Sequence, residues 1–259
     1  MKLNFCKYTG AGNDFIIVDD RKEIFINDSS LIKKLCNRNF GVGADGLILI
    51  RDTDNAEFEI LHYTPDGYPG SLCGNGTRCG ISFAFKNNII DKKTIFKAYD
   101  GIHSADILKD NLIKMKMNLN SEILDNKYGT WLDTGSPHLV IEMDNTDTLN
   151  VKKEGSLIRY NNYFKDEGVN VNFVEKVTDE IFKIRTYERG VENETLACGT
   201  GSTASAICMN YLGKTNSNSI TMKSKGGNLK VEFNSKNKNF DDINITGPAE
   251  LVFEGAIKI

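Results

Sequence analysis

The sequence predicts a mixed α/β (α+β) protein of two pseudo-symmetric halves, each a curved, mainly antiparallel sheet wrapped around a central helix. Three observations predict it. "LCGNGTRCGIS" (Leu72–Ser82) is echoed by "LACGTGSTASA" (Leu196–Ala206), which puts Cys73 and Cys198 125 residues apart. Three further segments echo in the same order, at spacings of 123, 127 and 124 residues, and collinear repetition marks a duplicated unit. The residues after each cysteine are small and little interrupted by charge, and a helix with no polar face is a buried one. The halves are 1–118 and 119–248.

Each element can be justified along the chain. "GNDFIIVDD" (Gly12–Asp20) is a turn entering an apolar strand, and "GSPHLVIEM" (Gly135–Met143) repeats it. "DSSLIKKLCNR" reads as a helix: Asp28 or Ser29 can cap it, and Leu31, Ile32, Leu35 and Cys36 share one face. "FGVGADGLILI" (Phe40–Ile50), aligned on Gly41 with Gly168 of "EGVNVNFVEKV", is a glycine-rich turn into the strand "LILI". Gly41, Gly43 and Gly46 have G-x-G-x-x-G spacing, but they lead into a strand instead of running from a strand into a helix, so a plain turn is expected and not a dinucleotide-binding one. "FEILHYTPDG" (Phe58–Gly67) faces "FKIRTYERG" (Phe182–Gly190) through Tyr63 and Tyr187. The cysteine–glycine turn and its helix follow in each half. "LIKMKM" and "LKVEF" alternate with the period of two that half-buried antiparallel strands show.

Composition narrows the function classes. The 259 residues are 40% hydrophobic and 26% charged, which fits a globular chain of one large or two small domains. A net charge of −3 is too slight to argue for nucleic acid or an anionic membrane. "MKLNFCKYTGAGNDF" lacks the apolar core of a signal peptide, and no stretch approaches a membrane span. A cytoplasmic chain with reduced thiols is expected. The cysteines show no C-x-x-C, and the histidines (His62, His103 and His138) form no metal-ligand spacing, so no metal is expected. Cys6, Cys36, Cys79 and Cys208 read as small buried hydrophobes.

The matched pair reads differently. A helix N-terminus presents outward N–H groups and partial positive charge, which stabilise a thiolate and also bind a carboxylate. Gly74, Gly76, Gly199 and Gly201 are expected to let the backbone approach a ligand closely. If the halves meet about a pseudo-twofold axis, a carboxylate between the two helix ends has its α-carbon between two sulfurs. One thiolate then removes the α-proton and the opposite thiol returns one, inverting configuration, while the amides stabilise charge on the carboxylate. A redox disulfide between Cys73 and Cys198 is the other reading of the pair.

At this point the sequence resembles the diaminopimelate epimerase family. "GAGNDF", "CGNGTRC", "TGSPH", "GVNVNF", "YERG" and "ETLACGTGSTA" occur in the family's order across essentially the whole chain. The resemblance implies two pseudo-symmetric domains, with 249–259 returning as a strand to the first. It implies interconversion of LL- and meso-diaminopimelate with no cofactor, and a homodimer. Cys73 and Cys198 match the two catalytic bases. Backbone amides of Gly74, Asn75, Gly199 and Thr200 match the carboxylate cradle. Asn13, Asn170 and Arg189 match substrate-holding side chains, the last two toward the distal end. Glu188 matches an acid near the distal amine and the second thiol, and His138 a histidine near the first thiol that helps move the proton. Thr64 stands where the family often has an Asn that touches the distal carboxylate; a Thr is shorter and has no amide. Ser136 replaces a common Asn, and the segment from Glu188 to Cys198 is one residue longer than usual.

Other functions remain open at the level of sequence. A same-fold racemase of histidine, lanthionine or proline would use the same thiols; "CGNG" where proline racemases carry CGH counts against proline. A non-enzymatic amino-acid-binding module would have no need of two thiols. In either case the partner is a small amino acid, with neither nucleic acid nor membrane.

Overall fold

The computed structural model describes residues 2–70 and 73–259. The chain divides into two compact units, one running up to Met115 and adding Gly247–Ile259, the other comprising Lys116–Thr246. Among the described residues, four α-helices and a majority of strands make it a mixed, sheet-dominated α+β protein.

In the first unit the elements are β1 (Lys2–Gly10), β2 (Asn13–Asp19), α1 (Ser29–Cys36), β3 (Gly46–Arg51), β4 (Phe58–Tyr63), α2 (Gly74–Lys86), β5 (Lys93–Ala98), β6 (Gly101–Ile107) and β7 (Leu112–Lys116). The second unit holds β8 (Leu124–Asn126), β9 (Gly129–Asp133), β10 (Pro137–Glu142), α3 (Val151–Arg159), β11 (Asn170–Lys176), β12 (Ile181–Glu188), β13 (Asn193–Thr195), α4 (Gly199–Tyr211), β14 (Ser219–Ser224), β15 (Gly227–Lys236) and β16 (Asn239–Pro248). The last strand, β17 (Glu250–Lys258), pairs antiparallel with β1, so Lys2 faces Lys258 and Phe5 faces Gly255.

The first unit's sheet runs β17-β1-β2-β3-β4-β5-β6-β7. Its neighbours are antiparallel except β2–β3 and β4–β5, which are parallel. A parallel pair needs a crossover between its strands. Here α1 lies in the crossover between β2 and β3, and α2 in the one between β4 and β5. Asp28 caps α1 by accepting from Ser30 N at 2.8 Å, and Ile32, Leu35 and Cys36 go inward. Side chains alternate across a strand. Ile16, Val18, Leu47 and Leu49 therefore join α1 in one core. A Cβ on Gly76 of α2 would lie 3.1–3.2 Å from Phe15 and Ile48, and one on Gly80 would lie 3.1 Å from Ile60. Both faces of β3 are thus covered, so "LILI" is buried throughout and does not alternate. Helix α2 touches β1, β2, β3, β4, β6 and β17, a sheet wrapped around it.

The second unit repeats this plan. β9–β10, β11–β12, β14–β15 and β15–β16 are antiparallel, and β10–β11 and β12–β14 are parallel, with α3 and α4 in the crossovers. Leu139, Val171, Phe173 and Tyr187 pack toward α3. Helix α4 touches β9, β10, β11, β12, β14 and β15. The ladders correct one alignment. Phe15 pairs with Gly46 and Leu47 with Tyr63, where the second unit pairs His138 with Asn170 and Val171 with Tyr187. Leu47 therefore corresponds to Val171, a spacing of 124, and the match of Gly41 to Gly168 at 127 lies in turns of unequal length.

Candidate active site

Both cysteines occupy the same local position. Cys73 and Cys198 are the N-cap residues of α2 and α4, each extended (φ −97°, ψ 104° and φ −125°, ψ 116°) before a 13-residue helix. Thr77 N donates to Cys73 O at 2.7 Å and Ser202 N to Cys198 O at 2.9 Å, closing the first turn behind each thiol. The first-turn amides of a helix have no acceptor within it and point outward. Gly74, Asn75, Gly199 and Thr200 supply them here. Gly76 and Gly201 do different work from that expected. They face the sheet, Gly76 over Phe15 and Ile48, and Gly201 where a Cβ would lie 2.5 Å from Asn172 Oδ1. They bring helix onto sheet rather than backbone onto ligand.

Around Cys73 the polar groups form a chain. Arg38 donates to Asp45 at 2.6 Å, and Asn13 Nδ2 donates to the other Asp45 oxygen at 2.9 Å. Asn13 Oδ1 accepts from Asn75 Nδ2 at 2.7 Å, and Asn75 Oδ1 accepts from Arg78 Nη2 at 2.6 Å. A carboxylate only accepts, so Asp45 sets the orientation of Asn13, and Asn13 sets that of Asn75. Neighbouring Asp14 anchors the base of the chain through Lys7 and Arg38. Burial pushes its carboxyl up, but these two cations outweigh that and bring it to about 2. Arg78 is fully buried, and burial draws its pKa down. Among the described residues it has no ion-pairing carboxylate, and its Nη1 has no hydrogen-bond partner. Thr64 sits in the turn after β4, where its hydroxyl donates to Tyr68 O at 3.2 Å.

Around Cys198 the second unit assembles a different set. Gly201 N donates to Cys198 Sγ at 3.4 Å, and Thr200 Oγ1 lies 3.4 Å from the same sulfur. His138, expected near the first thiol, makes its hydrogen bonds on the Cys198 side: its Nε2 is 2.9 Å from Thr200 Oγ1, and the Thr200 carbonyl accepts from Thr134 Oγ1 at 2.9 Å. Ser136 Oγ lies 3.2 Å from His138 Nε2 and accepts from Asn170 Nδ2 at 2.9 Å. Asn170 Oδ1 accepts from Arg189 N at 2.8 Å, and the exposed Arg189 side chain donates to Glu167 O. Asn170 thus ties the β10 turn to the end of β12. Glu188, the last residue of β12, is half-buried; burial raises its carboxyl pKa, offset in part by the Thr195 hydroxyl. His138 is fully buried, and burial, with the charge of Arg189 adding to it, pushes its pKa down to about 3. At neutral pH the ring is uncharged.

Asn172 and Thr186 join this cluster without having been singled out in the sequence. Both are buried behind His138, on the face of β11 and β12 turned to α4. The first unit has Ile48 and His62 at the corresponding ladder positions. An Asn where the other half has an Ile was the available signal. The remaining cysteines are unsuited to chemistry: burial pushes Cys6 and Cys36 up to about 11, and Cys79 and Cys208 are raised as well. Among the described residues no group of three or more His, Cys, Asp or Glu is placed to hold a metal ion, and no helix is long and apolar enough to cross a membrane.

Comparison with known proteins agrees with the motif order. The family model described as diaminopimelate epimerase matches residues 5–119 and 130–252. The diaminopimelate epimerase of Flavobacterium psychrophilum is 49% identical over 256 residues, covering 98% of this chain and all of the relative. That of Chlorobaculum tepidum is 39% identical, covering 97% of this chain and all of its own. Among solved structures, a PhzF-family phenazine biosynthesis protein from Bacillus anthracis superposes with a TM-score of 0.79 at 17% identity, with full coverage of both chains. A hydroxyproline epimerase from Agrobacterium vitis gives 0.69 at 13% identity, covering 99% of this chain and 91% of its own. These two share the fold alone. The match of the family model over most of the length, with relatives of this identity, places the chain in the diaminopimelate epimerase family.

Proposed function

We propose that the chain interconverts LL- and meso-2,6-diaminopimelate by proton transfer at the α-carbon, with Cys73 and Cys198 as the two bases and no cofactor. The observation that carries the reading is the duplicated N-cap thiol, one on each 13-residue helix of a chain in this family. Inversion demands one base on each face of the α-carbon, and the reading assigns Cys73 to one face and Cys198 to the other. The thiolate takes the α-proton, the electron pair moves toward the carboxylate, and the opposite thiol delivers its proton to the carbon. Outward amides of Gly74, Asn75, Gly199 and Thr200 stabilise the added negative charge on the carboxylate. Glu188, Asn170 and Arg189 hold the distal amino-acid end, since an ammonium needs an anion and a carboxylate a cation. Asn13 keeps one amide hydrogen beyond that given to Asp45, which suits the proximal end. Thr64 closes the distal side as part of its turn. The chain works in the cytoplasm as a homodimer.

The test is α-proton exchange in D₂O followed by NMR, on dialysed, reduced, pyridoxal-free protein. LL-diaminopimelate, lanthionine, histidine and proline are run in parallel. Exchange and epimerisation of diaminopimelate far ahead of the others is the expected result. Faster turnover of another amino acid would move the substrate and leave the thiol chemistry in place. Replacing either cysteine by serine is expected to lower epimerisation by about 10²–10⁴-fold, the worth of a positioned acid or base. Full epimerisation by Cys73→Ser would eliminate the two-base mechanism.

A further inference from the structure

The polar cluster behind Cys198 has a direction. Asn172 Nδ2 lies 3.2 Å from Leu139 O, which can only accept, so that atom is the amide nitrogen. The same nitrogen lies 3.1 Å from His138 Nδ1. An amide nitrogen has two hydrogens and no lone pair to offer, so Nδ1 accepts and carries no proton. A charged ring, with N–H at both positions, would set two donors face to face. The acceptor end of Asn172 is turned away, taking the Thr186 hydroxyl at 2.9 Å. The ring proton therefore sits on Nε2 and points at Thr200 Oγ1, 2.9 Å away, with Ser136 Oγ as a second acceptor at 3.2 Å. With its oxygen already accepting, the Thr200 hydroxyl has its hydrogen free for Cys198 Sγ at 3.4 Å.

We propose that Asn172, steadied by Thr186, is a positioning residue that locks His138 as the neutral Nε2–H tautomer, so that Thr200 donates one way into the Cys198 sulfur. The relay holds the thiolate form of Cys198 by hydrogen bonding, without a charge beside it, and His138 does not itself take up the proton. Packed about the ring are Leu132 of β9, Asn170 and Asn172 of β11 and Thr200 of α4; the charge acting on it is that of Arg189, which disfavours the imidazolium. The first unit has no counterpart, since Phe15 occupies the position of His138 and Ile48 that of Asn172. The catalytic consequence rests on Cys198 being one of the two bases; the tautomer does not.

Two measurements on the full-length protein test this. In ¹⁵N-labelled wild type, two-bond ¹H–¹⁵N spectra report which ring nitrogen of His138 is protonated. The Nε2–H pattern, unchanged between about pH 5 and 8, is expected. An Nδ1–H ring, or one that titrates in that range, overturns the proposal. The second measurement is the pH dependence of alkylation at Cys198 by iodoacetamide, read by peptide mass spectrometry in a Cys73→Ser background. Asn172→Leu keeps the size of the side chain and removes the donor. It is expected to release the tautomer and raise the alkylation midpoint by about one pH unit, a roughly tenfold loss of thiolate at a given pH. Thr200→Val is expected to raise it similarly while leaving the His138 tautomer as it was. A folded Asn172→Leu with unchanged tautomer and midpoint would overturn the positioning role, and a purely structural role would leave the midpoint where it was. Neither measurement uses substrate, so failure of diaminopimelate exchange would count against the proposed function alone.

Discussion

At the scale of single residues, the telling feature is a histidine held neutral inside a sheet. The folded pKa of His138, about 3, lies below the ordinary 6.5. Above about pH 6.5 neither the folded nor the unfolded ring is charged, and the site adds no pH dependence. As pH falls below that value the unfolded chain takes up a proton that the folded chain refuses, so stability falls, until the folded ring protonates near pH 3. By about pH 5 the loss is about 2 kcal/mol. Urea titrations of wild type and His138→Gln at stepped pH values check this. The variant is expected to be less stable at pH 7, because Asn172 and Thr200 lose their partner, and to lack the decline between about pH 6.5 and 5. Parallel curves for the two proteins would place the ring in a solvated or charged setting. The sequence drew attention to His138 through its "GSPH" motif, but it could not place Asn172 behind the ring. "VNVNFV" reads as a buried strand with stray amides until the ladder shows Asn172 turned to α4 and His138.

At the scale of elements, close approach of helix to sheet explains both what could be read in advance and what could not. Helices α2 and α4 were legible because a cysteine–glycine start and a run of small residues leave little other choice. Helix α1 was legible from the Asp28 cap. Helix α3 was not, because Gly155 interrupts a nine-residue segment and weakens its helical signal by about 1 kcal/mol relative to Ala. The structure shows why that glycine is there: a Cβ on Gly155 would lie 2.4 Å from Tyr187 Cβ, a contact no rotamer change relieves. Gly155→Ala sets these effects against each other. The propensity gain of about 1 kcal/mol is smaller than the overpacking cost of about 1–3 kcal/mol plus the shift of α3 off β12. A net loss of about 1–2 kcal/mol is expected by chemical denaturation. A stabilised variant would mean that α3 can lift from the sheet at no cost. The parallel pairs were illegible for a different reason, since period-two alternation marks a half-buried strand but not the direction of its neighbour.

At the scale of the whole molecule, duplication was legible because the repeat is carried by motifs whose residue types are chemically constrained, such as a thiol before a glycine. Its register was not, because turns of unequal length shift the echoes, as Gly41 and Gly168 did. The first unit is also discontinuous in sequence: its sheet ends on β17, which pairs with β1 from Lys2↔Lys258 to Thr9↔Glu250. Ile257 and Ile259 pack with Leu3, Phe5 and their neighbours around α1, and a Cβ on Gly255 would lie 2.8 Å from the Phe5 ring. Just ahead of β17, Ser82 and Arg78 of the buried helix α2 donate to Ala249 O and Pro248 O, both at 3.4 Å, which fixes where the strand starts. Removing Glu250–Ile259 therefore strips β1 of one ladder, opens an apolar edge and leaves Leu3 and Phe5 part-exposed. At about 1.5–3 kcal/mol for each buried side chain, a loss of about 3 kcal/mol or more is expected. Hydrogen exchange read by mass spectrometry locates it, since amides of β1 should lose protection in the truncated chain first and most. Intact protection of β1 without β17 would show that the β1–β2 ladder and the α1 core suffice, and that the returning strand adds length to the sheet but no stability.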